Sequence, residues 1–487
     1  MEKQHQGLWR IKNYEPISGI LKVDNKKQEI ILDLYRYNTP FPDEGFPNEG
    51  MELDLITGQL ITDEYVTLLD CKGGFKKQTN RNKIYQFRIK TAIIGKEVLS
   101  PASVTFPNYF LHFTWFEYWF GEHSFTIDKV SENKRITYNR KEPLEVKVPS
   151  LSLEFQIVSS PNFSDNLPKS CSISQFCWFN INFETEIHLK DIFPSISMLQ
   201  IFLEFCAQEN IYPNQLQGCR MISGQKATFK IIYAPFLGEF DEELDENILL
   251  EFLFPPKENL LTPNNVATNL KQLFNPIMLF QEIKVDFEKI IEKWFQLYKK
   301  SQTEIDLYIA SRRNFNDIPR STFLNLVVAL EGFHRQQNVK EKVLPKERYR
   351  NDLLPLIEKE CNNLVDTVCT TETEADRNAM KEAITSQLKM ANQHVLKDRF
   401  RDMINSVSDY GLSEINANVE DFIKKVVQTR NEMSHGLGEN QIPSNEELLD
   451  TNRKLKLLFE ALILRELGIL KKRNFGIWEP RQNIPSS

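Results

Sequence analysis

Cysteine is scarce in this sequence: seven residues in 487, at Cys71, Cys171, Cys177, Cys206, Cys219, Cys361 and Cys369. An odd, sparse set with no zinc-ribbon spacing argues against a disulfide framework or a zinc hook and for reduced thiols. Long apolar runs are also missing. No stretch approaches the roughly 18 uninterrupted apolar residues of a membrane span, and no apolar core follows Met1 to His5, so neither secretion nor membrane insertion is expected. A cytoplasmic protein follows from both absences. The third thing lacking is basic charge, for the chain carries a net charge of −7. Residues 1–290 hold 30 Lys+Arg against 38 Asp+Glu, and residues 291–487 hold 30 against 29. The broad electropositive footprint of many nucleic-acid-binding domains is therefore absent, and any RNA contact must be local. Lys72-Gly73-Gly74-Phe75 lacks the spacing and the Lys-Ser/Thr ending of a phosphate-binding P-loop, and a tight turn accounts for it.

What is present is the composition of a folded protein, 41% hydrophobic and 26% charged, at a length that suits two or three domains. Of the 34 phenylalanines, 26 precede position 291, and aromatic residues favour pleated, half-buried surfaces. Period-two alternation marks Ile20–Val23 and Ile30–Leu32 around a polar Asp24–Lys27 turn, and then Tyr85–Lys90, Leu151–Ile157, Phe179–Phe183 and Ala227–Ile232. These predict antiparallel strands in a sandwich-like or two-sheet domain, with one helix near 197–205. The aromatic run Tyr109–Phe120 reads as sheet core, the competing reading being a binding platform for bases or sugars.

Prolines at 255, 256, 263 and 276 place a boundary near residue 275, after which the period becomes helical. Helices are expected at about 278–301, 303–313, 321–338, 351–367, 373–406, 417–435 and 445–470, the last opening on the capping box Ser444-Asn445-Glu446-Glu447. The fold class is thus α+β in two domains: β-rich over 1–275, all-helical over 276–475, with a tail at 476–487.

The most informative segment is Val419–Gly436. On a 3.6-residue period Val419, Phe422, Ile423, Val426 and Met433 form one apolar stripe, and Arg430 falls within it. A desolvated arginine needs a partner, a cleft or an interface. His435, five residues on, would sit about 140° away on an ideal helix; Gly436 and Gly438 can open the last turn and bring it back. An arginine that grips phosphate through its planar fork and a histidine that moves protons near neutral pH suit RNA cleavage without a metal or other cofactor.

Arg430-Asn431-x-x-x-His435 has the form of the arginine, four-to-six residues, histidine motif of HEPN ribonucleases. Together with a strand-rich N-terminal region, a linking helix bearing Trp294 and the segment Ala329-Leu330-Glu331-Gly332-Phe333-His334-Arg335, it resembles the ApeA-like anti-phage defence family over essentially the whole chain. The resemblance implies a metal-independent endoribonuclease acting on RNA, tRNA among the candidates, by 2′-hydroxyl transesterification. It also implies a homodimer formed through the HEPN domain with both motifs facing one cleft, an unidentified phage trigger, and growth arrest of the host. In that reading His435 is the general acid/base, Arg430 holds the scissile phosphate and Asn431 positions either. Glu331 and His334, three residues apart on one helix face, are candidate auxiliaries. Lys424 and Lys425, with Lys397, Arg399 and Arg401, are candidates for the local RNA-binding charge. Two other readings compete: a non-catalytic HEPN interaction module whose β domain binds a phage component, and a β-sandwich ligand-binding protein with a structural helical tail. For Arg430 and His435 themselves the competing description is an arginine paired with a buried carboxylate and a histidine at a helix C-terminus.

Overall fold

The hairpin foreseen around Asp24–Lys27 shows how local chemistry starts the first unit. The Asp24 carboxylate accepts from the backbone N–H of Lys26 and Lys27 at 3.0 and 3.1 Å, and Gln28 turns through φ 54°. That closes β2 (Ile17–Asp24) on β3 (Glu29–Tyr37) with Asp24 opposite Glu29. The computed structural model describes residues 2–11, 14–37, 50–79, 82–122, 124–130, 133–151, 153–166, 170–237, 276–313, 319–337, 344–392, 394–435 and 443–469. The expected boundary near 275 and the tail 476–487 lie outside these residues. The chain divides into two compact units, Met1–Phe295 and Gln296–Ser487.

In the first unit the sandwich-like expectation resolves into a barrel with a sheet growing from it. β1 (Glu2–Arg10), β2, β3, β6 (Asn82–Gly95), β5 (Tyr65–Gln78) and β4 (Met51–Leu60) pair antiparallel in a closed ring, β4 returning to β1. Their inward residues, among them Trp9, Leu21, Leu32, Ile56, Leu68 and Phe87, form one buried cluster. β6 is long enough for two jobs: its first half pairs with β3 and its end, Thr91–Ile94, with β14 (Gln225–Tyr233). From β14 the sheet continues through β13 (Pro213–Ile222), β7 (Thr105–Phe113), β12 (Ser170–His188), β11 (Leu153–Asn166) and β10 (Leu144–Val148). A separate hairpin pairs β8 (Phe125–Val130) with β9 (Asn133–Tyr138). Alternation tells a strand's two faces apart but not whether the sheet closes, so barrel and sandwich read alike in sequence.

Gly73 lies inside β5, not at the tight turn expected of Lys72–Phe75. A Cβ there would meet the Gln86 carbonyl oxygen of β6 at 2.0 Å, and Gly74 adopts φ 146° before a bulge between Phe75 and Lys77. The glycines serve close strand approach.

The aromatic run Tyr109–Phe120 is core, as the sequence suggests: Tyr109, Phe113, Phe116, Trp119 and Phe120 are buried. Trp119 joins Phe202 of α1 (Leu189–Ala207) and Phe280 in edge contacts at 6.0 and 5.7 Å, and its indole donates to the Met278 carbonyl at 2.9 Å. Trp294, on α2 (Phe287–Lys300), is fully buried against Phe202 and Phe205 and donates to the Met198 carbonyl at 3.0 Å. Residues 276–295 thus pack within the first unit. Glu122 accepts from Lys284 at 2.6 Å and from Gln281 at 2.8 Å, and also pairs with Lys141. Despite the burial, these donors hold its carboxyl down to about 2.

The second unit is helical: α3 (Gln302–Arg313), α4 (Pro319–Gln337), α5 (Leu354–Val368), α6 (Glu374–Met390), α7 (Leu396–Ser406), α8 (Val419–His435) and α9 (Asn445–Leu467). Tyr308 stacks on Phe459 at 5.1 Å and donates to Glu460 at 2.6 Å, fixing α3 on α9. Phe333 meets the same Phe459 ring, fixing α4. Gly332 of α4 faces Glu304 so closely that a Cβ would lie 2.5 Å from its carboxylate oxygen. The predicted capping box forms, the Glu447 N–H donating to Ser444 Oγ and the Ser444 N–H to Glu447 Oε2. The sequence pattern predicts a single helix over 373–406; the chain breaks instead between α6 and α7. Buried Asn392 explains the break, because its amide pairs with both the N–H and the C=O of Leu344, at 2.8 and 2.9 Å. Among the described residues no helix is long and apolar enough to cross a membrane.

Candidate functional site

Helix α8 carries the expected motif, and its burial pattern refines the apolar stripe. Phe422, Ile423 and Val426 are buried, and in the next turn the buried position belongs to Thr429, 2% exposed. Arg430 and Met433 are half-buried at the margin. Arg430 therefore sits at the rim of the packed face and not within it, and its contact to Asn431 is an exposed one. Its Nη1 lies 3.4 Å from Asn431 Oδ1, a weak contact within the motif. Among the described residues no carboxylate lies within ion-pairing distance of it. Asn431 is exposed. Glu432 was not singled out by sequence, yet it is 6% exposed and accepts from Gln428 at 2.7 Å.

α8 continues as helix to His435. The opening of the last turn envisaged at Gly436 and Gly438 concerns residues outside those described. Five residues along a continuous helix separate the Arg430 and His435 positions by about 140° around the axis.

The candidate charges divide. Lys424 is exposed, and Lys425 lies 3.6 Å from Glu447. Arg399 does not lie on the surface as expected: it is 3% exposed, and its Nε donates to the His394 carbonyl at 3.0 Å. Its guanidinium is tied into the protein. Arg401 and Lys397 both pair with Glu420, at 2.9 and 3.1 Å. Hydrogen bonds from Arg401 and then Lys397 hold the Glu420 carboxyl down at about 2, so this cluster is charge-compensated.

Glu331 and His334 share a face of α4 but have different surroundings. Glu331 accepts from Arg335 at 2.5 Å, an intrahelical pair. His334 is 4% exposed, and neither ring nitrogen has a hydrogen-bond partner; the Asp402 carboxylate stands 3.7 Å from Nε2, beyond hydrogen-bond range. Burial, and then the neighbouring Arg399 guanidinium, lower its pKa below the ordinary value, Asp402 opposing. Both effects favour the neutral imidazole. It lines a cavity of about 100 Å³ with Phe333, Met403, Leu462, Asp402 and Arg465. Asp402 and Arg465 were missed by sequence reasoning, since residues 68 and 131 positions from His334 carry no local signal of a shared site.

Comparison with known proteins gives two family matches. The family described as ApeA N-terminal domain 1 matches residues 4–294, and that described as Apea-like HEPN matches residues 324–473. The first ends within one residue of the division between the compact units. The second contains α8, the Glu331–His334 face and the cavity. No curated protein and no solved structure matches the chain. A barrel-bearing first unit matching the one domain and a helical second unit matching the other place this chain in the ApeA-like family, with its HEPN domain at the C-terminus.

Proposed function

We propose that the chain is a metal-independent endoribonuclease of an anti-phage system, which cuts RNA when infection is sensed and arrests the growth of its host. The observation that carries this reading is Arg430: a half-buried arginine at the edge of the packed face of α8 in an Apea-like HEPN domain, next to Asn431, with no carboxylate to neutralise it among the described residues. Such a group is available to a phosphodiester.

In the reaction the 2′-hydroxyl of one nucleotide attacks the adjacent phosphorus while its proton passes to a base. The P–O5′ bond breaks, the leaving oxygen takes a proton, and the products are a 2′,3′-cyclic phosphate and a 5′-hydroxyl. Arg430 binds the non-bridging oxygens, whose charge grows in the transition state. His435 handles the proton, and Asn431 orients the guanidinium. Because Arg430 and His435 diverge around one continuous helix, two copies facing a single cleft are the natural way to bracket one phosphate. The β-rich unit would then read the phage trigger.

The same divergence favours a second reading, a non-catalytic HEPN interaction module. One experiment separates the two: RNA integrity in cells expressing the wild-type chain, Arg430→Ala or His435→Ala, with and without phage, each variant checked for folding. Infection-dependent cleavage lost in both folded variants is the expected result. Intact RNA with protection surviving both substitutions would make the helical domain an interaction module.

A further inference from the structure

His334 stands apart among the buried polar groups because neither ring nitrogen makes a hydrogen bond, the nearest carboxylate, Asp402, standing 3.7 Å from Nε2, and because the residue lines a cavity. Leaving such a group unpaired is costly, so the geometry asks for an occupant. At about 100 Å³ the cavity has room for several waters or one flat ring system, well below the size of a pocket for a whole nucleotide.

The walls narrow the chemistry. Phe333, Met403 and Leu462, each no more than 2% exposed, supply apolar surface. Asp402, its side chain 57% exposed, sets a carboxylate at the mouth. Arg465 directs Nε and Nη2 to Glu466, which leaves Nη1 without a partner among the described residues. A carboxylate and a guanidinium on one small cavity suit neither a simple anion nor a simple cation, since each ion would meet one wall of its own sign. They suit an uncharged planar ring with donors on one edge and acceptors on another. Guanine has this pattern: N1–H and the 2-amino group donate, and O6 and N7 accept.

We propose that this cavity receives a guanine base of single-stranded RNA, Asp402 accepting from its N1–H and amino group while Arg465 and His334 donate to O6 and N7. The apolar walls cover the ring, and the ribose and phosphates stay outside. Splayed-out bases held by stacking and edge contacts are the usual route to sequence-specific RNA recognition. The inference rests on the ribonuclease reading for the polymer that presents the base, and it makes His334, Asp402 and Arg465 specificity residues.

The test uses the full chain carrying Arg430→Ala, so that RNA is bound and not consumed. Fluorescence anisotropy would compare an oligouridylate holding one central guanosine with an all-uridine oligomer. Tighter binding of the first is expected, and adding Asp402→Asn should weaken it about tenfold while leaving the all-uridine oligomer unchanged. Asparagine is isosteric and the carboxylate lies at the mouth, so folding, checked by thermal melting, should persist. Equal affinity for the two oligomers, or a loss common to both in Asp402→Asn, would overturn the proposal. If Arg430→Ala weakens all RNA binding beyond measurement, calorimetric titration of the wild-type chain with guanosine and uridine 5′-monophosphates decides: the guanine nucleotide alone should bind, and no preference sinks the idea. Guanosine discrimination without cleavage by the wild-type chain would leave this inference standing and remove the ribonuclease reading. Cleavage without discrimination would do the reverse.

Discussion

Arg430 is half-buried at the edge of the packed face of α8, and among the described residues it has no acidic partner. If its task is to grip a phosphodiester through two parallel N–H donors, lysine cannot replace it, because an ammonium is a point charge without a fork. Arg430→Lys should therefore lose at least about tenfold in single-turnover RNA cleavage, with stability within about 0.5 kcal/mol of wild type because no ion pair is broken. Near-wild-type cleavage by the lysine variant would reduce the role to unspecific positive charge. At this scale the sequence was legible where chemistry is local. The shared face of Glu331 and His334, three residues apart on α4, is such a local matter. The fate of Arg399 is not: whether a guanidinium in a helix's first turn faces solvent or bends back to the His394 carbonyl depends on tertiary packing, to which spacing is blind.

Elements were legible where a boundary has its own chemical mark. The Asp24 turn and the Ser444 capping box are such marks, and both form as predicted. The break between α6 and α7 lacks one: its cause is a side chain answering a backbone 48 residues away. Asn392 is 5% exposed and satisfies two main-chain groups at once, so deleting its amide strands both. Asn392→Ala should cost about 2 kcal/mol in chemical denaturation. Asn392→Asp, which keeps the acceptor for the Leu344 N–H and loses the donor to its carbonyl, should also destabilise the fold. If both variants match wild type, the pair does not set the break and the helix ends there for another reason. The strands tell the same story. Alternation located β2, β3, β6, β11, β12 and β14, but ring closure through β5 and β6 is a long-range pairing invisible to a pattern of period two.

At the scale of the whole molecule, the order of a β-rich and then a helical region follows from the change of periodicity, and the two family matches agree with it. The assembly is a separate question that the geometry of α8 sharpens. If one phosphate is held by Arg430 of one copy and served by His435 of another, the two functions can be supplied by different chains. An Arg430→Ala chain has its histidine and a His435→Ala chain has its arginine, so a mixed dimer contains one composite site with both groups intact. Each variant alone should be inactive. Co-expressed, or mixed after unfolding and refolding together, they should recover about a quarter of wild-type cleavage, since half of randomly paired two-fold dimers are mixed and each of those has one intact site of two. Should mixing restore nothing while sedimentation shows that mixed dimers form, both residues must come from one chain. The last turn of α8 would then have to open so that the imidazole reaches the arginine's side, and substitution of Gly436 by alanine would become the decisive variant.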